Sequence, residues 1–154
     1  MKSFILLMFA GLLILSCETQ TKPTAEANSD VPLKGTWQLF SGTLIEKGDT
    51  TTTDYTKNTS FIKIINETHF AFLQHDLKKG KDSAASFSAG GGKYTLKDSV
   101  YTEHLEYCTA REWEEHDFTF NIQILNDTLI QRGVEIVESA GINRINIEKY
   151  TRVK

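Results

Sequence analysis

Four histidines, His69, His75, His104 and His116, have the side chains of widest chemical reach in this chain. None has a partner at helical i, i+4 spacing, and none stands beside a cysteine at zinc spacing, so no metal site is expected. His75-Asp76 has the residue types of a ligand and its orienting carboxylate, but strand-end His and Asp are commoner as solvated turn residues. Glu103 lies in the alternating stretch Tyr101-Thr102-Glu103-His104-Leu105. A carboxylate desolvated among Tyr and Leu could act as a general base. No nucleophile elbow, phosphate loop or dinucleotide fingerprint accompanies it, so catalysis ranks last among the readings and no cofactor is called for. Gly90-Gly91-Gly92 precedes a strand rather than a helix, which removes the anion-binding reading and leaves a bend or bulge at a barrel corner. Lys78, Lys79 and Lys81 suit a solvated loop tip. Trp113, among Glu112, Glu114 and Glu115, reads as a lid or a packing anchor.

Elements that could position these groups follow from the pattern after Gly35. Proline is absent there, and β-branched and aromatic residues alternate at period two between polar turns, as in strands. The strands expected are 36–46, 50–55, 61–66, 69–75, 84–89, 93–97, 100–108, 117–125, 128–137 and 143–152, with one helical turn at 109–115. Short strands at regular spacing specify an all-β antiparallel sandwich or barrel.

Two turns set registers. A two-residue loop at Asn126-Asp127 pairs Ile124 with Leu129, Ile122 with Gln131, Phe120 with Gly133 and Phe118 with Glu135. A loop at Asp98-Ser99 pairs Leu96 with Tyr101, Tyr94 with Glu103 and Gly92 with Leu105. Paired residues share a face. One face therefore carries Phe118, Phe120, Ile122, Ile124, Leu129 and Gln131, and the other Tyr94, Leu96, Tyr101, Glu103, Leu105 and Tyr107. Both reverse faces are polar. An isolated carboxylate is costly in a dry core. A hollow barrel tolerates Glu103 and Gln131 because ligand or water can satisfy them; Glu103 at a solvated barrel mouth is the alternative. With Phe70 and Phe72 on one side of Ala71, the ligand-binding residues expected are Phe70, Phe72, Tyr94, Tyr101, Glu103, Phe118, Phe120 and Gln131. A one-residue slip would exchange the faces and bring Arg132 to Glu103.

Gly35-Thr36-Trp37 resembles the Gly-x-Trp that opens lipocalin barrels. The resemblance implies an antiparallel up-and-down β-barrel of eight to ten strands, with an arginine of the last strand packed over that tryptophan. Arg152 is the first candidate and Arg144 the second. A longer set carries a closer likeness: Thr68-His69-Phe70-Ala71-Phe72, Gly90-Gly91-Gly92-Lys93-Tyr94, Tyr101 to Tyr107, Phe118-Thr119-Phe120 and Asp127-Thr128-Leu129. In this order and spacing they resemble lipocalin-like (calycin-type) domains of exported bacterial proteins, notably of Bacteroidetes, whose function is unassigned. The likeness spans residues 35–154. Asp-Ser/Thr-apolar triplets such as Asp98-Ser99-Val100 also resemble O-glycosylation sites of that group, although turn chemistry accounts for them unaided.

The first residues are set apart from this pattern. Lys2 precedes an apolar run from Phe4 to Leu15, too short to span a bilayer and of secretory length. It ends in Ile14-Leu15-Ser16-Cys17, which resembles the bacterial lipobox. That implies cleavage after Ser16, lipidation of Cys17 and a lipid-anchored place in the bacterial cell envelope, at the outer membrane. Residues 1–16 are then a signal peptide and 17–34, with both prolines and no apolar period, a flexible tether. Cys108 is left as a lone thiol, expected to be buried. Lys and Arg number 17 against 20 acids, which supplies no basic excess for nucleic acid. The first reading is a membrane-tethered lipoprotein binding a small, partly apolar ligand. The alternative is a structural or interaction lipoprotein of the envelope with a packed barrel.

Overall fold

The computed structural model describes residues 32–154. The signal peptide expected at 1–16, the lipidation expected at Cys17 and the tether expected from there, up to residue 31, lie outside the described residues. Nine strands follow in order: β1 (Gly35–Glu46), β2 (Asp49–Asp54), β3 (Thr59–Ile65), β4 (His69–Asp76), β5 (Phe87–Lys97), β6 (Val100–Cys108), β7 (His116–Leu125), β8 (Thr128–Val137) and β9 (Ile142–Arg152). Single 3₁₀ turns, Arg111–Trp113 and Glu138–Ala140, follow β6 and β8. Neighbours from β3 to β9 pair antiparallel in sequence order, and β9 pairs with β1, which pairs with β3. Eight strands thus close a barrel, which leaves β2 as the strand with a free edge. β2 is the extra strand. It pairs with Ser41–Glu46 of β1, whereas β3 pairs with Gly35–Gln38, so two strands share one side of β1 at different heights.

The tight turns have the chemistry their geometry needs. Gly48, Asp98 and Asn126 take positive φ, a region Gly, Asn and Asp tolerate best, and Lys47 shares it beside Gly48. The two registers expected from sequence are present: Ile124–Leu129, Ile122–Gln131 and Phe120–Gly133 in one hairpin, and Leu96–Tyr101, Tyr94–Glu103 and Gly92–Leu105 in the other. The pairing of β7 with β8 stops at Phe120–Gly133, short of Phe118 and Glu135.

Three expectations need correction. The stretches 84–89 and 93–97 are one strand, β5, because Gly90, Gly91 and Gly92 stay in the ladder. The glycines still mark a bulge, between Gly91 and Gly92. A Cβ on Gly92 would lie 1.9 Å from the His104 carbonyl oxygen, so only glycine permits this approach. That bulge turns Tyr107 outward, where it is 70% exposed, and brings Cys108 toward the interior instead. Finally, Leu33, grouped with the tether by sequence, is buried in the core.

The closed end forms around Trp37, which is fully buried. Its Nε1 donates to the Leu33 carbonyl at 2.7 Å. The Arg152 guanidinium sits 4.1 Å from the indole centroid and donates to the carbonyls of Lys34 and Pro32. Arg152 is therefore the covering arginine; Arg144 lies over Trp113 instead. Leu39, Ile65, Phe70, Tyr101, Ile122, Leu129 and Tyr150 complete the packed core.

Candidate functional site

Period-two alternation gives β8 and β9 an unusual inner face. Gln131 and Glu135 of β8 and Arg144, Asn146 and Glu148 of β9 line the interior, while Val134 and Ile136 are about half exposed outside. β3 adds Lys63, between Phe61 and Ile65 on the same face, and β6 adds Glu103. These polar groups line a cavity of about 360 Å³. That is within the ~300–1,000 Å³ usual for small-molecule sites. Most of the bulk of its remaining wall is aromatic, from Tyr55, Phe61, Phe72, Trp113, Phe118 and Phe120, with Leu44 and Leu105 among the rest. Phe61 stacks on Phe72 at 5.8 Å, and Trp113 packs on Phe118 at 5.6 Å, so Trp113 is a packing anchor that also borders the cavity. Tyr55 lies over Gly42, where a Cβ would come within 2.9 Å of the ring.

The polar groups form two charged clusters. Lys63 Nζ donates to Glu103 Oε1 at 2.8 Å and to Gln131 Oε1 at 3.2 Å, and lies 3.9 Å from Glu148 Oε2. Glu148 also accepts from the Tyr150 hydroxyl at 2.8 Å. Arg144 Nε donates to Glu135 Oε2 at 2.7 Å, and Asn146 Nδ2 to Glu135 Oε1 at 2.7 Å. Burial is the largest influence on both members of the first pair. It raises the Glu103 carboxyl above its usual range, against the opposing Lys63 charge. For Lys63 burial acts downward, but the charges of Glu103 and Glu148 outweigh it and hold the ammonium above its ordinary value. Burial, then the Glu148 charge, keeps the Tyr150 phenol neutral. The Gln131 Nε2 is buried without a hydrogen-bond partner among the described residues, and the buried Tyr101 hydroxyl faces the Glu103 carboxylate. Gln131 thus turns its carbonyl oxygen to Lys63 and leaves its Nε2 at the cavity wall.

Of the eight ligand-binding residues expected from sequence, Phe72, Glu103, Phe118, Phe120 and Gln131 border the cavity. Phe70 and Tyr101 point inward but belong to the packed core. Tyr94 is half-buried, 5.3 Å from the Tyr101 ring, with its hydroxyl on the Asn66 carbonyl. The cationic partner of Glu103 is Lys63, while Arg132 points outward. Sequence reasoning missed Lys63, Arg144, Asn146 and Glu148. The signal for Lys63 was its place between Phe61 and Ile65 at period two. Cys108 is half-buried at the cavity edge, less enclosed than expected. Among the described residues no three His, Cys, Asp or Glu converge as metal ligands. No helix among them is long and apolar enough to cross a membrane.

No curated protein matches this chain. Among solved structures, the crystal structure of an uncharacterized protein from Bacteroides eggerthii DSM 20697 is similar. It shares 15% identity over 78% of this chain and 98% of that one, with a TM-score of 0.44. The family model of a domain of unknown function, DUF4488, matches residues 32–154, the whole described barrel, and the chain belongs to that family.

Proposed function

We propose that this barrel is a membrane-tethered binding domain that holds one small, partly apolar molecule among Phe61, Phe72, Trp113, Phe118 and Phe120. The observation that carries the reading is the interior itself, hollow, aromatic on one side and charged on the other. Aromatic walls supply contact area, and a few fixed polar groups orient a ligand. A barrel built only for packing would fill this space with aliphatic side chains. Lipidation at Cys17 is part of the proposal and rests on the Ile14-Leu15-Ser16-Cys17 junction. An acylated cysteine bearing several chains anchors stably where one chain does not.

The neutral dye N-phenyl-1-naphthylamine tests the cavity. It should brighten on binding the wild type, and Leu44→Trp, which places an indole at the cavity wall, should weaken it about tenfold or more, some 1.4 kcal/mol. A dye that stays dark with wild-type protein favours the packed-barrel alternative. The anchor has its own readout. Radiolabelled palmitate fed to cells should mark the wild type and not Cys17→Ser, and an unlabelled wild type removes the anchor from the account.

A further inference from the structure

The cavity carries two cations, Lys63 and Arg144, against three carboxylates, Glu103, Glu135 and Glu148. Both cations are engaged. Lys63 is 3% exposed and lies between Glu103 and Gln131, with Glu148 just beyond. Arg144 is bound to Glu135, whose second oxygen is taken by Asn146. The acceptors are not exhausted: Glu148 keeps one oxygen, Oε1, without a hydrogen bond among the described residues, while the Glu103 carboxylate faces both Lys63 and the Tyr101 hydroxyl. The nearby rings already face cations, with Lys63 5.4 Å from the Tyr150 centroid and Arg144 5.3 Å from that of Trp113. Ring faces attract positive charge. An anionic guest would have to displace Glu103 from Lys63 or bury a second negative charge beside Glu148.

We infer that the cavity selects an organic cation, an amine or quaternary ammonium with an apolar body, over an anion of the same shape. This rests on the ligand-binding reading and adds the charge of the guest. The ammonium would stand near the free oxygen of Glu148 and beside the Glu103 carboxylate, and the apolar body against Phe61, Phe72 and Phe118. Glu148 is the carboxylate in excess, 16% exposed in its side chain and held by the Tyr150 hydroxyl.

Isothermal titration of the full chain with octyltrimethylammonium, 1-octanol and octanoate tests it, each below its micelle concentration. The ammonium should bind about tenfold or more tightly than octanol and octanoate more weakly than either. Glu148→Gln, which keeps an oxygen for Tyr150, should bring the ammonium and octanol to within about threefold. Octanoate binding best, or octanol matching the ammonium, overturns the charge selection and leaves the binding reading standing. An unchanged preference in Glu148→Gln overturns the role given to that carboxylate. No binding by any of the three overturns the binding reading and this inference with it.

Discussion

Lys63→Met should destabilise the barrel by about 3–5 kcal/mol, the cost of removing one partner from a buried ion pair. The ammonium is 3% exposed and is the cation bound to Glu103, itself 7% exposed. Methionine keeps most of the stem volume, so the loss comes from Glu103 left buried without its cation, either ionised or forced to take up a proton. Glu148, 3.9 Å from the same nitrogen, loses its cation too. The double variant Lys63→Met, Glu103→Leu should recover at least half of the loss, because hydrophobic replacement of both partners is often neutral or better. Urea unfolding followed by tryptophan fluorescence measures both. A single variant within about 1 kcal/mol of wild type would mean that the pair is solvated. The pH dependence has a definite sign. The folded-state pKa of Lys63 is raised, so its contribution is complete below the ordinary lysine value of 10.5 and is lost as pH climbs through the higher folded value. The wild type minus variant difference should therefore hold from neutral pH to about 10 and shrink above it.

Trp37→Ala should cost about 3–5 kcal/mol, the range for truncating a buried aromatic. The indole is fully buried, and its removal also frees the Leu33 carbonyl and takes the ring from beneath Arg152. Trp37→Phe should cost less, since a ring remains for the guanidinium and the loss is limited to the Nε1 donor and part of the indole's volume. Chemical denaturation separates the two. Similar, small losses in both variants would place the tryptophan outside the structural core and remove the basis of the closed end.

What was legible in the sequence depended on short range. Asn126-Asp127 and Asp98-Ser99 are two-residue loops, and each fixes a register that propagates along its hairpin. Glu103 and Gln131 could be placed inside from those loops alone. Their meeting at Lys63 could not, because the lysine is 40 residues from Glu103 and 68 from Gln131, with no turn linking their registers. The bulge at Gly91/Gly92 was legible as a glycine run but its effect on Tyr107 was not, since a single inserted residue reverses every side chain beyond it. β9 is the hardest case. Its apolar period, Ile145 and Ile147, follows the outer face, and Arg144, Asn146 and Glu148 follow the inner one. Hydrophobic alternation assigns such a strand backwards wherever the interior is a polar cavity and not a dry core. The tryptophan–arginine closure was legible only through the likeness to lipocalin barrels, which named the last strand as the source of the arginine.

Whether the interior holds a guest can be weighed directly. Native mass spectrometry of the full chain, recovered from the bacterial envelope in mild detergent, reads the mass of the protein with whatever it carries. The account predicts one small molecule per chain, released on collisional activation and depleted in Leu44→Trp. A wild-type chain at the bare mass of the lipidated polypeptide, from cells in which it is folded and anchored, would contradict it.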